Sequence, residues 1–135
     1  MPGPSPLQYG EYYHIFNRGT NGENIFAEER NYSFFLQLYA KYIEPIAFTY
    51  AYCLLKNHFH LMVQIKTPEQ QDAYPAETLK VSETFKVLNP SQQFSNLFNA
   101  YAKAFNRTYN RSGSLFEHPF HRIRIDTDAH FVHLA

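Results

Sequence analysis

The heptapeptide Asn57-His58-Phe59-His60-Leu61-Met62-Val63 constrains this chain more than any other stretch. An apolar run, Ala47-Phe48-Thr49-Tyr50-Ala51-Tyr52-Cys53-Leu54-Leu55, precedes it, and the run after it continues through Gln64 to Ile65. Residues 46–55 and 58–65 read as two strands, and Lys56-Asn57 is a two-residue link of the kind that closes a tight hairpin. Successive strand side chains point to opposite faces. His58 and His60 therefore project to one side, about 6.5 Å apart, and Phe59 turns the other way into a core. Two imidazoles at that separation can bind one metal ion on the face of a sheet. The competing reading is a pair of half-exposed strand histidines with no ligand. A central apolar strand has little reason to carry two polar side chains on one face, and this favours the metal.

At 135 residues the chain is one domain with room for a sizeable core. A hydrophobic fraction of 44% and an aromatic fraction of 18% exclude a disordered chain. The single cysteine, Cys53, rules out a disulfide framework and points to a reducing, cytoplasmic compartment. No apolar run approaches the ~20 residues of a membrane span, and the first residues do not read as a signal peptide. Net charge is zero, which argues against gross affinity for nucleic acid. The balance is uneven, however. Residues 1–90 carry seven Lys/Arg against nine Asp/Glu, and residues 91–135 carry five against three. Those five, Lys103, Arg107, Arg111, Arg122 and Arg124, are opposed between 103 and 124 by Glu117 alone. A local basic patch suits an anionic partner engaged on one face; a solvated helix face is the alternative.

Residues 1–10 read as a flexible leader, with Pro and Gly concentrated in the first seven. Residues 11–18 alternate as a strand, with Tyr13, Ile15 and Asn17 on one side and Tyr12, His14 and Phe16 on the other. A turn cluster follows at 17–22. Tyr32, Phe35, Leu36, Tyr39, Tyr42 and Ile43 recur at helical spacing over 27–44, with Glu28 and Glu29 in the first turn and Pro45 as the stop. Residues 66–90 read as a long surface loop with at most a turn of helix near 76–80. Phe94, Leu97, Phe98, Tyr101, Ala102, Phe105 and Tyr109 form the stripe of a helix over 91–110, with Ser91 as its cap. Lys103 and Arg107 share a face of that helix. Residues 115–125 read as a final strand with Ile123 and Ile125 toward the core and Arg122 and Arg124 opposite. Asp126 caps a last helix that runs to Ala135 without a stop signal, so the chain is expected to be truncated inside that element. The order strand–helix–strand–strand–helix–strand is the ferredoxin-like, α+β pattern: a four-stranded antiparallel sheet with helices packed on one face. Its open face is expected to present the two histidines and the arginine pair.

Several of these pieces together resemble the single-tyrosine HUH transposases, in the branch of REP-associated tyrosine transposases. They are Phe16-Asn17-Arg18-Gly19 at the end of the first strand, His58-Phe59-His60 after Leu54-Leu55-Lys56-Asn57, and the helix from Phe94 to Asn110. Gly113-Ser114-Leu115-Phe116 leading to Pro119-Phe120-His121-Arg122-Ile123-Arg124 completes the set. The resemblance spans the chain from Tyr12 onward. It implies a DNA-binding domain of an endonuclease active in DNA transposition and recombination, which nicks and rejoins single-stranded DNA beside hairpins. It implies His58 and His60 as ligands of a divalent metal, Mg²⁺ or Mn²⁺, that orients the scissile phosphate. Asn17, Arg18, Lys56, Asn57, Lys103, Arg107, Arg122 and Arg124 are the candidate DNA contacts, single-stranded or hairpin DNA is the partner, and a homodimer is one assembly the resemblance allows.

The family's nucleophilic tyrosine opens a Tyr-Ile-His-x-Asn-Pro motif directly after residues resembling His130-Phe131-Val132-His133-Leu134-Ala135. None of the eleven tyrosines here matches that motif, and Tyr101 and Tyr109 read as core. The expectation is a chain that binds DNA without its nucleophile. Two other classes stay open. A non-catalytic single-stranded nucleic-acid-binding module on the same fold would show solvent-facing aromatics on its strands. A purely structural domain would bury and hydrogen-bond both histidines.

Overall fold

A computed structural model describes residues 4–72 and 86–126. Alternation builds four strands, β1 (Tyr12–Arg18), β2 (Ala47–Leu55), β3 (His58–Ile65) and β4 (His121–Ile125). Three helices join them: α1 (Glu29–Ile43), the short α2 (Pro68–Asp72) and α3 (Pro90–Thr108). The sheet order is β2-β3-β1-β4 and every pairing is antiparallel. The chain therefore enters at the centre of the sheet, leaves over α1, returns as the β2–β3 hairpin and leaves again over α3 to the far edge. This is the ferredoxin-like α+β arrangement. The hairpin closes through Lys56-Asn57 with Leu55 opposite His58, as its two-residue link requires.

Each helix starts on a side-chain cap. Asn31 Oδ1 accepts hydrogen bonds from the amides of Ala27 and Glu28 at 2.7 and 2.8 Å, so α1 begins two residues later than the spacing predicts. For α3 the cap is Asn89, whose Oδ1 accepts from the Gln92 amide at 3.0 Å, and Ser91 lies inside the helix. The reason is Pro90. It lacks an N–H and its fixed φ suits the first helical position, so the capping role falls to the residue before it. Ser91 Oγ instead accepts from the Leu7 amide at 3.1 Å.

Phe35, Tyr39 and Ile43 of α1 and Phe94, Leu97, Phe98, Tyr101 and Phe105 of α3 face one side of the sheet. There they meet Tyr13 and Ile15 of β1 and Phe59, Leu61, Val63 and Ile65 of β3. Phe59 is fully buried, with its ring 5.6 Å from Phe35, 5.3 Å from Phe98 and 6.0 Å from Phe116. Tyr101 is core, as its spacing predicts, and its hydroxyl donates to the Ile25 carbonyl at 2.5 Å. Tyr109 is half-buried and donates to Glu28.

Three further expectations change. Residues 4–10 are docked onto the fold rather than loose, because Leu7 is an apolar side chain that enters the core. Gly10 also donates its amide to the Ile65 carbonyl at 2.8 Å. The last strand is shorter than 115–125. Residues 115–120 touch the sheet through one bridge, Gly19 to Phe116, and regular pairing starts at His121, after the cis His118–Pro119 bond. Within 66–90, α2 forms, and buried Gln71 ties Leu88 to it by accepting from its amide at 2.9 Å and donating to its carbonyl at 3.1 Å. The turn expected near 76–80 and the helix expected from Thr127 lie outside the described residues.

Candidate functional site

The helices cover one face of the sheet, and the phase of each strand decides what stands on the other. Paired residues in an antiparallel ladder share a face. Arg18 pairs with His58, Phe16 with His60 and His14 with Met62. His14, Phe16, His58 and His60 therefore share the open face, and buried Ile15 and Phe59 point into the core. The two histidines stand together as their spacing predicts, half-buried, with ring centroids 5.3 Å apart at 89°.

The arginine pair is on the other face. Ile123 lies opposite His14 and Ile125 opposite Tyr12, whereas Arg122 lies opposite Ile15 and Arg124 opposite Tyr13. The phase of β4 is thus the reverse of the expected one. Ile123 stands on the open face at 43% exposure, and the arginines lie along the helix side of an edge strand. Arg122 is half-buried, its guanidinium 3.8 Å from the centroid of the Phe120 ring, and it donates to Ser91 Oγ at 3.4 Å. Loss of hydration holds its pKa below the usual guanidinium value. Arg124 is exposed, 3.9 Å from Asp126. Lys103 and Arg107 stand two residues after buried Tyr101 and Phe105, on the outward side of α3. Arg111 is committed to Glu23 at 2.5 Å. The five charges expected to form one patch are dispersed.

A cleft of about 500 Å³ opens where β1, the hairpin turn and the 117–121 segment meet, lined by Phe16, Asn17, Arg18, Asn57, His58, His60, Glu117 and His121. Each histidine has its Nδ1 engaged. His58 Nδ1 pairs with Asn57 Oδ1 at 2.8 Å, and since that oxygen only accepts, the ring nitrogen donates. His60 Nδ1 pairs with His14 Nε2 at 2.8 Å. Burial, with the neighbouring His58 charge behind it, holds the His60 pKa below its ordinary value and favours the neutral ring that can ligate. Two imidazoles on one sheet face suit part of the coordination shell of a divalent ion. Among the described residues no group of three or more His, Cys, Asp or Glu side chains completes it. Water or phosphate oxygens would have to fill the rest.

Around them, Phe16 stacks on His121 at 4.9 Å and lies 5.8 Å from His60. Arg18 Nε donates to Glu117 Oε2 at 2.8 Å, and His121 Nε2 lies 3.5 Å from Glu117 Oε1. The Arg18 hydrogen bond, ahead of the weaker one from His121, holds the Glu117 carboxyl below its usual range. Asn17 lines the cleft with little of its surface exposed. It is 2% exposed, its Nδ2 donates to the Glu117 carbonyl at 2.9 Å and its Oδ1 accepts from the Arg18 amide at 2.9 Å, so it fixes the cleft wall from behind. Lys56 is exposed in the hairpin turn, and its carbonyl accepts from Ile25 and Phe26. Sequence reasoning missed His14, Phe16, Glu117 and His121 as site residues. His14 was within reach, since its own strand alternation puts it opposite buried Ile15 and Tyr13. His121 was hidden by the reversed phase of β4.

No protein-family model matches the chain, and no curated protein matches it. A solved structure of a REP-associated tyrosine transposase bound to a REP hairpin superposes with a TM-score of 0.59, at 10% identity, over 99% of this chain and 67% of that one. At that identity the likeness is one of fold, and it agrees with the sheet order and helix placement described above. No described helix is long and apolar enough to cross a membrane.

Proposed function

We propose that this chain is the DNA-binding, metal-holding domain of a single-tyrosine HUH-type transposase, acting on single-stranded DNA that carries a hairpin. One observation carries the reading: His58 and His60 share the open face of a ferredoxin-like sheet, each with Nδ1 engaged, at a cleft that also holds Arg18. The same fold serves a transposase bound to a REP hairpin, which supports the choice of partner. His58 and His60 would hold Mg²⁺ or Mn²⁺ through Nε2, and the ion when bound supplies Lewis-acid polarisation of a phosphate oxygen. Arg18 exchanges Glu117 for a phosphate, a charge-assisted contact, and Lys56 adds a second cation from the turn. Cleavage joins a tyrosine oxygen to the phosphorus and breaks its bond to the 3′-oxygen. The phenol gives up its proton, the 3′-oxygen gains one, and rejoining reverses the exchange without a nucleotide cofactor. No described tyrosine lines the cleft, and Tyr74 is the one tyrosine of this sequence outside the described residues. On this reading the 135-residue chain alone is expected to bind without cutting.

A second reading has its own observation. Phe48 and Tyr50 of β2 are 40% and 52% exposed, and Tyr50 meets the Tyr12 ring at 5.8 Å, which suits a stacking module that needs no metal. The test is a labelled single-stranded hairpin oligonucleotide titrated with and without Mn²⁺, followed by a denaturing gel. Mn²⁺-dependent binding lost in His58→Ala and His60→Ala, with no covalent adduct, is the expected result. Metal-independent binding, unchanged in the double variant, would overturn the transposase reading in favour of the stacking module. An adduct formed by this chain would identify one of its own tyrosines as the nucleophile.

A further inference from the structure

Resting on the cation site just proposed, we infer that His14 is a positioning residue: it accepts the Nδ1 proton of His60 and so keeps the His60 Nε2 lone pair available for the ion. A neutral imidazole carries one proton on one of two nitrogens, and a ring that ligates through Nε2 must carry it on Nδ1. For His58 the choice is made by Asn57 Oδ1, which has no proton to give. For His60 the hydrogen-bond partner among the described residues is another imidazole, His14 Nε2, at 2.8 Å. That pair has two forms. If His60 donates, Nε2 is a ligand. If His14 donates, His60 carries its proton on Nε2 and is closed to any cation. The direction of one hydrogen bond between β1 and β3 thus sets whether the site exists.

The strand register makes the contact possible. His60 lies directly opposite Phe16, and His14, two residues along β1 on the same face, is its diagonal neighbour, close enough for ring-to-ring bonding. The His14 ring also packs 4.8 Å from Phe16 and 5.1 Å from His60 at 25°, which fixes its plane. The His58 partner comes from the hairpin turn and the His60 partner from a different strand. The two ligands are therefore oriented by independent parts of the fold, as outer partners of metal-binding histidines commonly are.

Two measurements test this on the whole chain. Long-range proton–nitrogen correlation spectra of the metal-free, nitrogen-labelled protein report which ring nitrogen of His60 is protonated. The expected result is Nδ1, with a coupling across the bond to His14 Nε2. Mn²⁺ titration is the second measurement. His14→Phe keeps a ring packed on Phe16 but cannot accept, and it should weaken Mn²⁺ binding about 10–100-fold, the usual range for loss of an outer partner. His14→Gln restores an acceptor and should recover most of that loss. Equal Mn²⁺ affinity in wild type and a folded His14→Phe would overturn the inference while leaving the cation site standing; His60 protonated at Nε2 in the wild-type chain would overturn the inference and, with it, ligation by His60 in that form. Absence of Mn²⁺ binding by the wild-type chain would overturn the site itself, and this role with it.

Discussion

On the proposed reading Glu117 occupies the place a phosphate would take beside Arg18, and removing its charge tests that proposed path. In the free protein Arg18 and Glu117 neutralise one another at 2.8 Å, so a strand entering the cleft meets Lys56 and a neutral pair. Glu117→Gln leaves Arg18 with its full charge. The two side chains are 67% and 29% exposed, so the ion pair adds little to stability. The bond from Asn17 goes to the backbone carbonyl of residue 117 and survives the change. Each cation that neutralises a phosphate of a single strand adds about 0.7 to the slope of log affinity against log salt. The variant should therefore bind a single-stranded hairpin more tightly at low salt, with a slope steeper by about 0.7. A fourfold rise in salt would then weaken it about 2.6-fold more than the wild type. The assay is fluorescence anisotropy of a labelled oligonucleotide across a salt series at neutral pH. There Glu117, its pKa held down by Arg18, is fully charged in the wild type. Arg18→Gln should flatten the slope of the wild type. Equal slopes and affinities in all three proteins would show that the strand does not pass Arg18 and would refute the proposed path. A loss of affinity in Glu117→Gln would mean that the carboxylate itself contacts the ligand.

Three further outcomes follow from the scaffold. Phe59→Ala removes a fully buried ring from beneath both histidines and should cost about 3–5 kcal/mol in denaturant unfolding; a loss below about 1 kcal/mol would mean that the core collapses around the gap. Asn89→Ala should lower stability by about 1 kcal/mol as the α3 cap is lost. If Ser91→Ala reproduces that effect in the helix signal while Asn89→Ala does not, the cap is misassigned. Burial raises the phenol pKa values of Tyr39 and Tyr101 well above the ordinary one. Their contribution to stability is complete below the unfolded-state value near pH 10 and declines as pH rises through the raised folded values. Absorbance and circular dichroism followed together should show these two ionising with unfolding; all eleven tyrosines titrating near pH 10 in a still-folded chain would contradict their burial.

The sequence makes the hairpin, the face shared by the two histidines and the orientation of β1 legible, because each rests on a run of buried apolar residues whose phase leaves one choice. Ile15 and Phe59 must be inside, so His14, His58 and His60 must be outside. Strand β4 offers no such anchor. His121-Arg122-Ile123-Arg124-Ile125 alternates perfectly, yet at a sheet edge either set can be accommodated: isoleucine can stand half-exposed, and arginine can bury its stem and stack on Phe120. What fixes the phase is tertiary. The Gly19–Phe116 bridge and the Glu117 amide donating to the Arg18 carbonyl at 3.0 Å lie before the strand begins. Composition could not show the dispersal of the basic residues for the same reason. A stretch rich in arginine and lysine is one patch only if its residues share a face, and 103–124 passes through a helix, a turn and a strand. The cap at Asn89 was legible in principle, since proline at the first helical position points to the residue before it.

The cleft has a regularity that bears on how it tolerates change. Apart from Lys56 in the exposed turn, the charged and imidazole side chains offered to a ligand have a buried neighbour in sequence: Asn17 beside Arg18, Phe59 between His58 and His60, Phe116 beside Glu117. Extended backbone makes this automatic, since adjacent residues face opposite ways. One member of each pair holds the main chain in the core, and the other is half-buried or exposed and carries little of the fold's stability. Substitutions at Arg18, His58, His60 or Glu117 should therefore change binding at small cost in stability, whereas Asn17, Phe59 and Phe116 should behave as stability positions that damage binding by moving their neighbours. Asn17 is the sharpest case. Asn17→Leu has nearly the same size but leaves the Arg18 amide and the Glu117 carbonyl without their partner, at about 1–3 kcal/mol for each group left unsatisfied. It should also slacken the segment that carries Glu117, so its binding defect should track its instability as temperature is raised. A binding defect in Asn17→Leu with wild-type stability would instead make Asn17 a contact residue and break the division between the two kinds of position.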